Sequence, residues 1–183
     1  MFSDPEKVIG QMFVAEGMTV ADFGAGAGFY ALRLAKKVGP YGRVFAVDAH
    51  PDYLRKIKNE AVRAGHEQVE VIQGDLEAPK GSGLVSASVD RVIISNVLFQ
   101  ADKPELIVKE AKRVLKHDGK IAVVDWSDSF SHIGPHPDHV ITLDEAKSLF
   151  EESGLRFECY LDAGSHHYGM MYVHDASPQQ GFF

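Results

Sequence analysis

Three carboxylates and one polar pair recur along this chain, each at the end of a short apolar run: Asp22, Asp48, Asp75 and Ser95-Asn96. Asp22 heads the stretch Asp22-Phe23-Gly24-Ala25-Gly26-Ala27-Gly28. Gly24, Gly26 and Gly28, with Ala25 between them, let the main chain approach a ligand with no Cβ in the way. A helix opening near Phe29 would aim its free N–H groups at the same place. A pyrophosphate would be repelled by a carboxylate two residues before the first glycine, whereas a ligand bearing an ammonium and a sulfonium would be drawn to it. Position 29 is Phe, so the dinucleotide pattern G-x-G-x-x-G is not met. Asp48, with Ala49 beside it, follows the glycines by roughly 20 residues, the spacing that brings a carboxylate onto a ribose diol. Asp75 could accept from an adenine amino group, with Leu76 against the ring face. Ser95-Asn96-Val97 would face the transferred group. Together these four points describe a site for S-adenosylmethionine, with S-adenosylhomocysteine as product.

Each position also has a plainer reading. Asp22 could serve only as a helix-dipole partner, Asp48 as a cap for a helix starting at Pro51, Asp75 as a solvated turn residue, and Asn96 as part of a capped turn.

The elements that must position these residues alternate between strand and helix periods, the pattern of a parallel sheet covered by helices. Strands are expected at Met18 to Phe23, Arg43 to Asp48, Gln68 to Gln73, Asp90 to Ser95 and Lys120 to Asp125, with His117-Asp118-Gly119 as the turn into the fifth. Ser3 and Glu6 form a capping-box candidate for a first helix with Val8, Ile9, Met12 and Phe13 on one face, stopped by Gly17. Thr142 and Glu145 form a second. Leu155 to Leu161 and Tyr168 to His174 are close enough in sequence to pair antiparallel. In such sheets ligands bind outside the carboxyl ends of the strands, where the carboxylates fall.

A length of 183 residues suits one domain, taken as residues 1–175, with 176–183 as a flexible tail unless Phe182 and Phe183 dock. No apolar run is long enough to span a membrane, and the N-terminus lacks the order of a signal peptide. Cys159 is the single cysteine, which excludes an internal disulfide and favours a reducing cytoplasm. The net charge of -7, with no basic block, argues against a nucleic-acid acceptor.

On these residues the chain resembles the class I S-adenosylmethionine-dependent methyltransferases, in the branch holding quinone-biosynthesis C-methylases and many small-molecule methylases. The resemblance runs from Gly17 to His174. It is carried by Val20 to Gly28, Val44 to Asp48, Gly74-Asp75, Ser88-Val89-Asp90, Ser95-Asn96-Val97-Leu98 and Arg113 to Lys120. It implies an α/β, Rossmann-like, doubly wound sheet of seven strands in the order 3-2-1-4-5-7-6, with strand 7 antiparallel. It also implies an enzyme whose acceptor is chosen by the segments before the first strand and after the fifth. Both are short here, which favours a small-molecule acceptor over a large lipid. The branch often carries His after the fourth-strand Asn, where this chain has Phe99-Gln100.

The acceptor side is the less legible half. Tyr30, Phe99, Trp126, His136 and Tyr168 are candidates to line it. The Pro- and His-rich loop holds His132, His136 and His139, and His166-His167 sit near the last hairpin. These could supply a base, with His136, His139 and Tyr168 as the catalytic candidates, or simply form a solvated lid; no metal is expected. A protein or RNA acceptor, or a non-catalytic donor-binding sensor or partner subunit, are the alternatives. The expected state is a monomer or homodimer without membrane insertion.

Overall fold

A computed structural model describes residues 3–129 and 134–175. His132 and the 176–183 tail, with Phe182 and Phe183, lie outside the described residues. The elements run α1 (Pro5–Gln11), β1 (Thr19–Phe23), α2 (Ala31–Val38), β2 (Arg43–Asp48), α3 (Pro51–Arg63), β3 (Val69–Gln73), β4 (Val89–Ser95), α4 (Pro104–Val114), β5 (Leu115–Trp126), α5 (Leu143–Glu152), β6 (Leu155–Tyr160) and β7 (His167–His174). Short 3-10 turns cover Leu98–Gln100 and Pro137–His139. Pro5, Pro51 and Pro104 each open a helix, where the missing N–H costs nothing and the fixed φ already suits the first turn.

The seven strands form one sheet in the order β3-β2-β1-β4-β5-β7-β6. β1 through β5 run parallel, and β7 is antiparallel to both β5 and β6, the topology the sequence implied. Side chains alternate across the sheet. Ala21, Phe23, Val92, Ile94, Ile121, Val123, Met170 and Tyr172 pack under α4 and α5. Val20, Val44, Ala46, Ile93, Ala122, Val124 and Met171 pack under α1, α2 and α3. The strand order reverses direction between β1 and β4, and a crevice opens there above the carboxyl ends.

Three local expectations change. The N-cap of α1 is Asp4, whose Oδ1 accepts from Glu6 N at 3.0 Å, while the Ser3 hydroxyl lies 3.3 Å from Tyr30 Oη. α1 ends at Gln11, and Phe13 turns outward at φ 53, its ring under the Lys120 ammonium. The buried Arg91 side chain draws the turn in by donating to Met12 O at 2.9 Å and Phe13 O at 3.2 Å, which satisfies carbonyls at the helix end. Finally, strand β5 begins at Leu115 rather than Lys120. Val89 pairs Leu115 and Arg91 pairs Lys120, so two steps on β4 oppose five on β5 and the expected turn residues form a bulge within the strand. The Thr142–Glu145 capping box is present at α5.

Candidate functional site

The crevice is a cleft of about 840 Å³, lined from the carboxyl ends of the five parallel strands and the amino end of the antiparallel β7. Read along the sheet, it meets Asp75 after β3, Asp48 at the end of β2, Asp22 in β1, Ser95 and Asn96 at β4, Trp126 at β5 and His167 at β7. All of the expected donor-site residues line it except Gly28. A Cβ on Gly28 would come within 2.7 Å of Ile57 Cγ1, so that glycine serves the packing of the turn on α3.

The glycine turn is tied to the neighbouring strand. Gly24 N and Ala25 N donate to Val47 O at 2.8 and 3.0 Å. A Cβ on Gly24 would reach within 2.3 Å of Val97 Cγ2, and its φ of +73 is one that L side chains rarely adopt. Gly26 is different. There a Cβ would meet no protein atom nearer than 3.9 Å, so the space beside it belongs to the cleft. Asp48 fixes this turn: its Oδ2 accepts from Gly26 N and its Oδ1 from His50 N, both at 2.8 Å. Asp48 does not cap α3, whose N-cap is His50 without a side-chain cap bond; it makes a local turn bond to His50 N instead, and each of its oxygens keeps a lone pair free of these two bonds.

Asp22 is 2% exposed, and its Oδ2 has no hydrogen-bond partner. Burial pushes its carboxyl up to about 7; the Ala31 amide at the start of α2 opposes that rise and the nearby Asp48 charge adds to it. A buried, half-orphaned carboxylate is costly unless something cationic comes to meet it. Asn96 adds a second orphan: its Oδ1 is buried without a partner, on a residue held at φ 57. Asp75 Oδ1 accepts from Glu77 N at 2.9 Å, and Leu76 is buried against the cleft. The loop beneath them is tight, since a Cβ on Gly74 would meet Gly81 O at 2.1 Å. It is anchored by Glu110, which takes Ser82 N at 3.1 Å and the Arg113 guanidinium at 2.7 Å.

The acceptor-side expectations divide. Tyr30 and Trp126 line the cleft; Phe99, His136 and Tyr168 do not. His136 and His139 are exposed on the 3-10 turn, with ring centroids 6.1 Å apart. Tyr168 faces the α4/α5 side of the sheet, where burial raises its phenol well above the ordinary range. Its neighbour His167 faces the cleft instead, because successive residues of a strand point to opposite faces. Both His167 ring nitrogens are buried without partners, and burial lowers its pKa. Asp125 emerges as a further organiser. Its carboxylate accepts from Leu98 N at 2.9 Å and Trp126 N at 2.8 Å, and burial pushes it up to about 6. Its position at the end of a strand was the available signal.

Four acidic side chains line the cleft, Asp22, Asp48, Asp75 and Glu77, and among the described lining residues there is no Lys or Arg. The charge, the glycine cradle beside Gly26 and the orphaned Asp22 oxygen fit a donor that carries cations.

Residues 15–154 match the family described as a methyltransferase domain, and the chain belongs to it. An S-adenosylmethionine-dependent methyltransferase from Aquifex aeolicus superimposes with a TM-score of 0.84 at 30% identity, covering 93% of this chain and 89% of that one. An arsenite methyltransferase of Halobacterium salinarum is 30% identical over 156 residues, 77% of this chain and 38% of its own length. A demethylmenaquinone methyltransferase of Lactobacillus johnsonii is 29% identical over 127 residues, 67% of this chain and 49% of its own. The chain thus spans less than half the length of these two curated relatives. The cofactor of this family is S-adenosylmethionine, and no helix among the described residues is long and apolar enough to cross a membrane.

Proposed function

We propose that residues 1–175 act as one domain that transfers a methyl group from S-adenosylmethionine to a small-molecule acceptor. The observation that carries the reading is the buried Asp22 carboxylate with its unpartnered Oδ2, placed beside a glycine turn in a cleft that carries four carboxylates and no Lys or Arg among its described lining residues. Asp22 holds the donor's ammonium, Gly24, Ala25 and Gly26 pass beneath its methionine portion, and Asp48 with Ala49 meets the ribose through lone pairs left free by Gly26 and His50. Asp75 and Leu76 take the adenine, and Ser95, Asn96 and Val97 border the methyl end. The donor supplies an already activated methyl group, so these residues contribute alignment rather than activation.

The acceptor end of the cleft has no Lys or Arg among its described lining residues, which favours a small molecule over a phosphate-bearing chain. The arsenite substrate of one relative does not carry over readily: soft metalloid chemistry calls for thiolates, and Cys159 is the chain's single cysteine, on β6 and outside the cleft. Release of S-adenosylhomocysteine, measured against parallel panels of small hydroxyl, amine and thiol compounds, an isoaspartyl peptide and RNA, tests the reading. Turnover is expected with the small molecules. Turnover with peptide or RNA alone would contradict it.

A further inference from the structure

We propose that His167 is the base of an O-methylation, taking the proton from a neutral, planar hydroxyl acceptor (a phenol or enol) that lies against Trp126. The inference rests on the donor reading above and extends it to the acceptor.

The first support is position along the sheet. Neighbouring strands lie about 5 Å apart. A donor spread across the ends of β3, β2 and β1 brings its reacting end to β4. The width of β5 and β7, about 10 Å, then remains for the acceptor. Trp126 and His167 occupy that width, paired directly across β5 and β7. They belong to the same sheet face as Asp22 and Ser95: Trp126 is two residues beyond Val124, Ser95 two beyond Ile93, and Asp22 two beyond Val20, all three packed on the α1–α3 side.

The second is the state of the imidazole. His167 is 7% exposed, lines the cleft and leaves both ring nitrogens without partners. An unpaired buried polar group costs about 1–3 kcal/mol, a cost that a ligand hydroxyl removes. Burial, reinforced by the adjacent His166 and opposed by Asp128, keeps the ring neutral and able to accept a proton.

The third is charge and shape. The lining carboxylates, with no Lys or Arg among the described lining residues, disfavour an anionic acceptor. The Trp126 and His167 rings pack on one another, with centroids 4.3 Å apart and planes tilted 36°, and both line the cleft, so a planar acceptor entering this end meets an aromatic pair. In the step itself the acceptor O–H bond breaks and its proton goes to an imidazole nitrogen of His167. The oxygen pair forms the new O–C bond to the methyl carbon, the C–S pair stays on sulfur, and solvent then takes the proton from the imidazolium.

Trp126 is the chain's single tryptophan, so its emission reports this end of the cleft directly. The probes are p-cresol and p-toluate, matched in shape but differing in a neutral hydroxyl against a carboxylate. With S-adenosylhomocysteine bound, p-cresol is expected to quench Trp126 saturably, while p-toluate does not at about tenfold higher concentration. With S-adenosylmethionine bound, p-cresol is expected to be methylated. His167→Gln is expected to leave S-adenosylhomocysteine affinity within about twofold in calorimetry while lowering that turnover by about 100-fold or more. Equal quenching by both probes, no quenching by p-cresol, no methylation of bound p-cresol, or unchanged turnover in the variant would each overturn the proposal. Failure of S-adenosylhomocysteine to bind the wild-type protein would instead strike the donor reading, and this one with it.

Discussion

Asp48 Oδ2 accepts the backbone N–H of Gly26 at 2.8 Å, so the carboxylate that ends β2 holds the turn that follows β1. Its other oxygen holds His50 N at the same distance, just ahead of α3. One side chain therefore fixes two of the segments that border the donor cleft.

Asp48→Asn puts an amide NH2 against one of these two N–H donors and weakens the bond to the other. A loss of about 1–3 kcal/mol in urea unfolding is expected, together with at least about tenfold weaker S-adenosylhomocysteine binding in calorimetry. Weaker binding with unchanged stability would separate the ligand role of Asp48 from its structural one.

Asp22 sets a pH dependence. Its folded value, about 7, lies above its ordinary 3.8, so between those values the native state keeps a proton that the unfolded chain releases. Stability of the ligand-free protein therefore falls as pH rises from about 4 to 7 and levels off above. Asp22→Asn removes that penalty. The variant is expected to be more stable than wild type at about pH 8, by something on the order of 2–4 kcal/mol, and to converge with it near pH 4. Denaturant titrations at the two pH values check this.

Gly24 and Gly65 separate strain from collision. Both hold positive φ, +73 and +70, but a Cβ on Gly65 meets nothing within 4 Å while one on Gly24 strikes Val97. Gly65→Ala is expected to cost only the backbone term, about 1–2 kcal/mol, and Gly24→Ala at least about 1 kcal/mol more. Thermal unfolding of the two variants side by side gives the difference, and equal losses would show that Val97 moves aside freely.

Glu110 is 5% exposed, and its carboxyl is held low by the Arg113 guanidinium and the Ser82 donors, which outweigh its own burial. Glu110→Ala leaves Arg113 and Ser82 without these partners, and a loss of about 3–5 kcal/mol is expected. In the wild type this contribution is present above the ordinary carboxylate range and fades as pH falls through the lowered folded value. Because the same loop carries Asp75 and Leu76, donor affinity should weaken as well. Unfolding curves and calorimetry on one preparation measure both.

The donor half was legible because its chemistry falls at strand ends and its glycines mark the turn. Asp22, Asp48, Asp75 and Asn96 could be placed without knowing which way any side chain faced. The acceptor half depends on facing. In β7 the residues from His167 to Tyr172 are all buried, so no alternation of polar and apolar types distinguishes His167 from Tyr168. Distance in sequence hid the rest: Asp125 reaches Leu98, and Glu110 reaches Ser82, across connections that no local pattern encodes. The bulge in β5 was hidden because His117-Asp118-Gly119 has turn composition inside a strand that continues on both sides.

The central claim is that a cationic donor neutralises Asp22 in this cleft, and its most direct test is calorimetric titration with S-adenosylhomocysteine at several pH values. Saturable binding at one site per chain is expected, strengthening by up to about tenfold per pH unit toward pH 7 as Asp22 ionises, and weakened by about 100-fold or more in a folded Asp22→Asn protein. No binding at about millimolar ligand, or equal binding by wild type and Asp22→Asn, would contradict it.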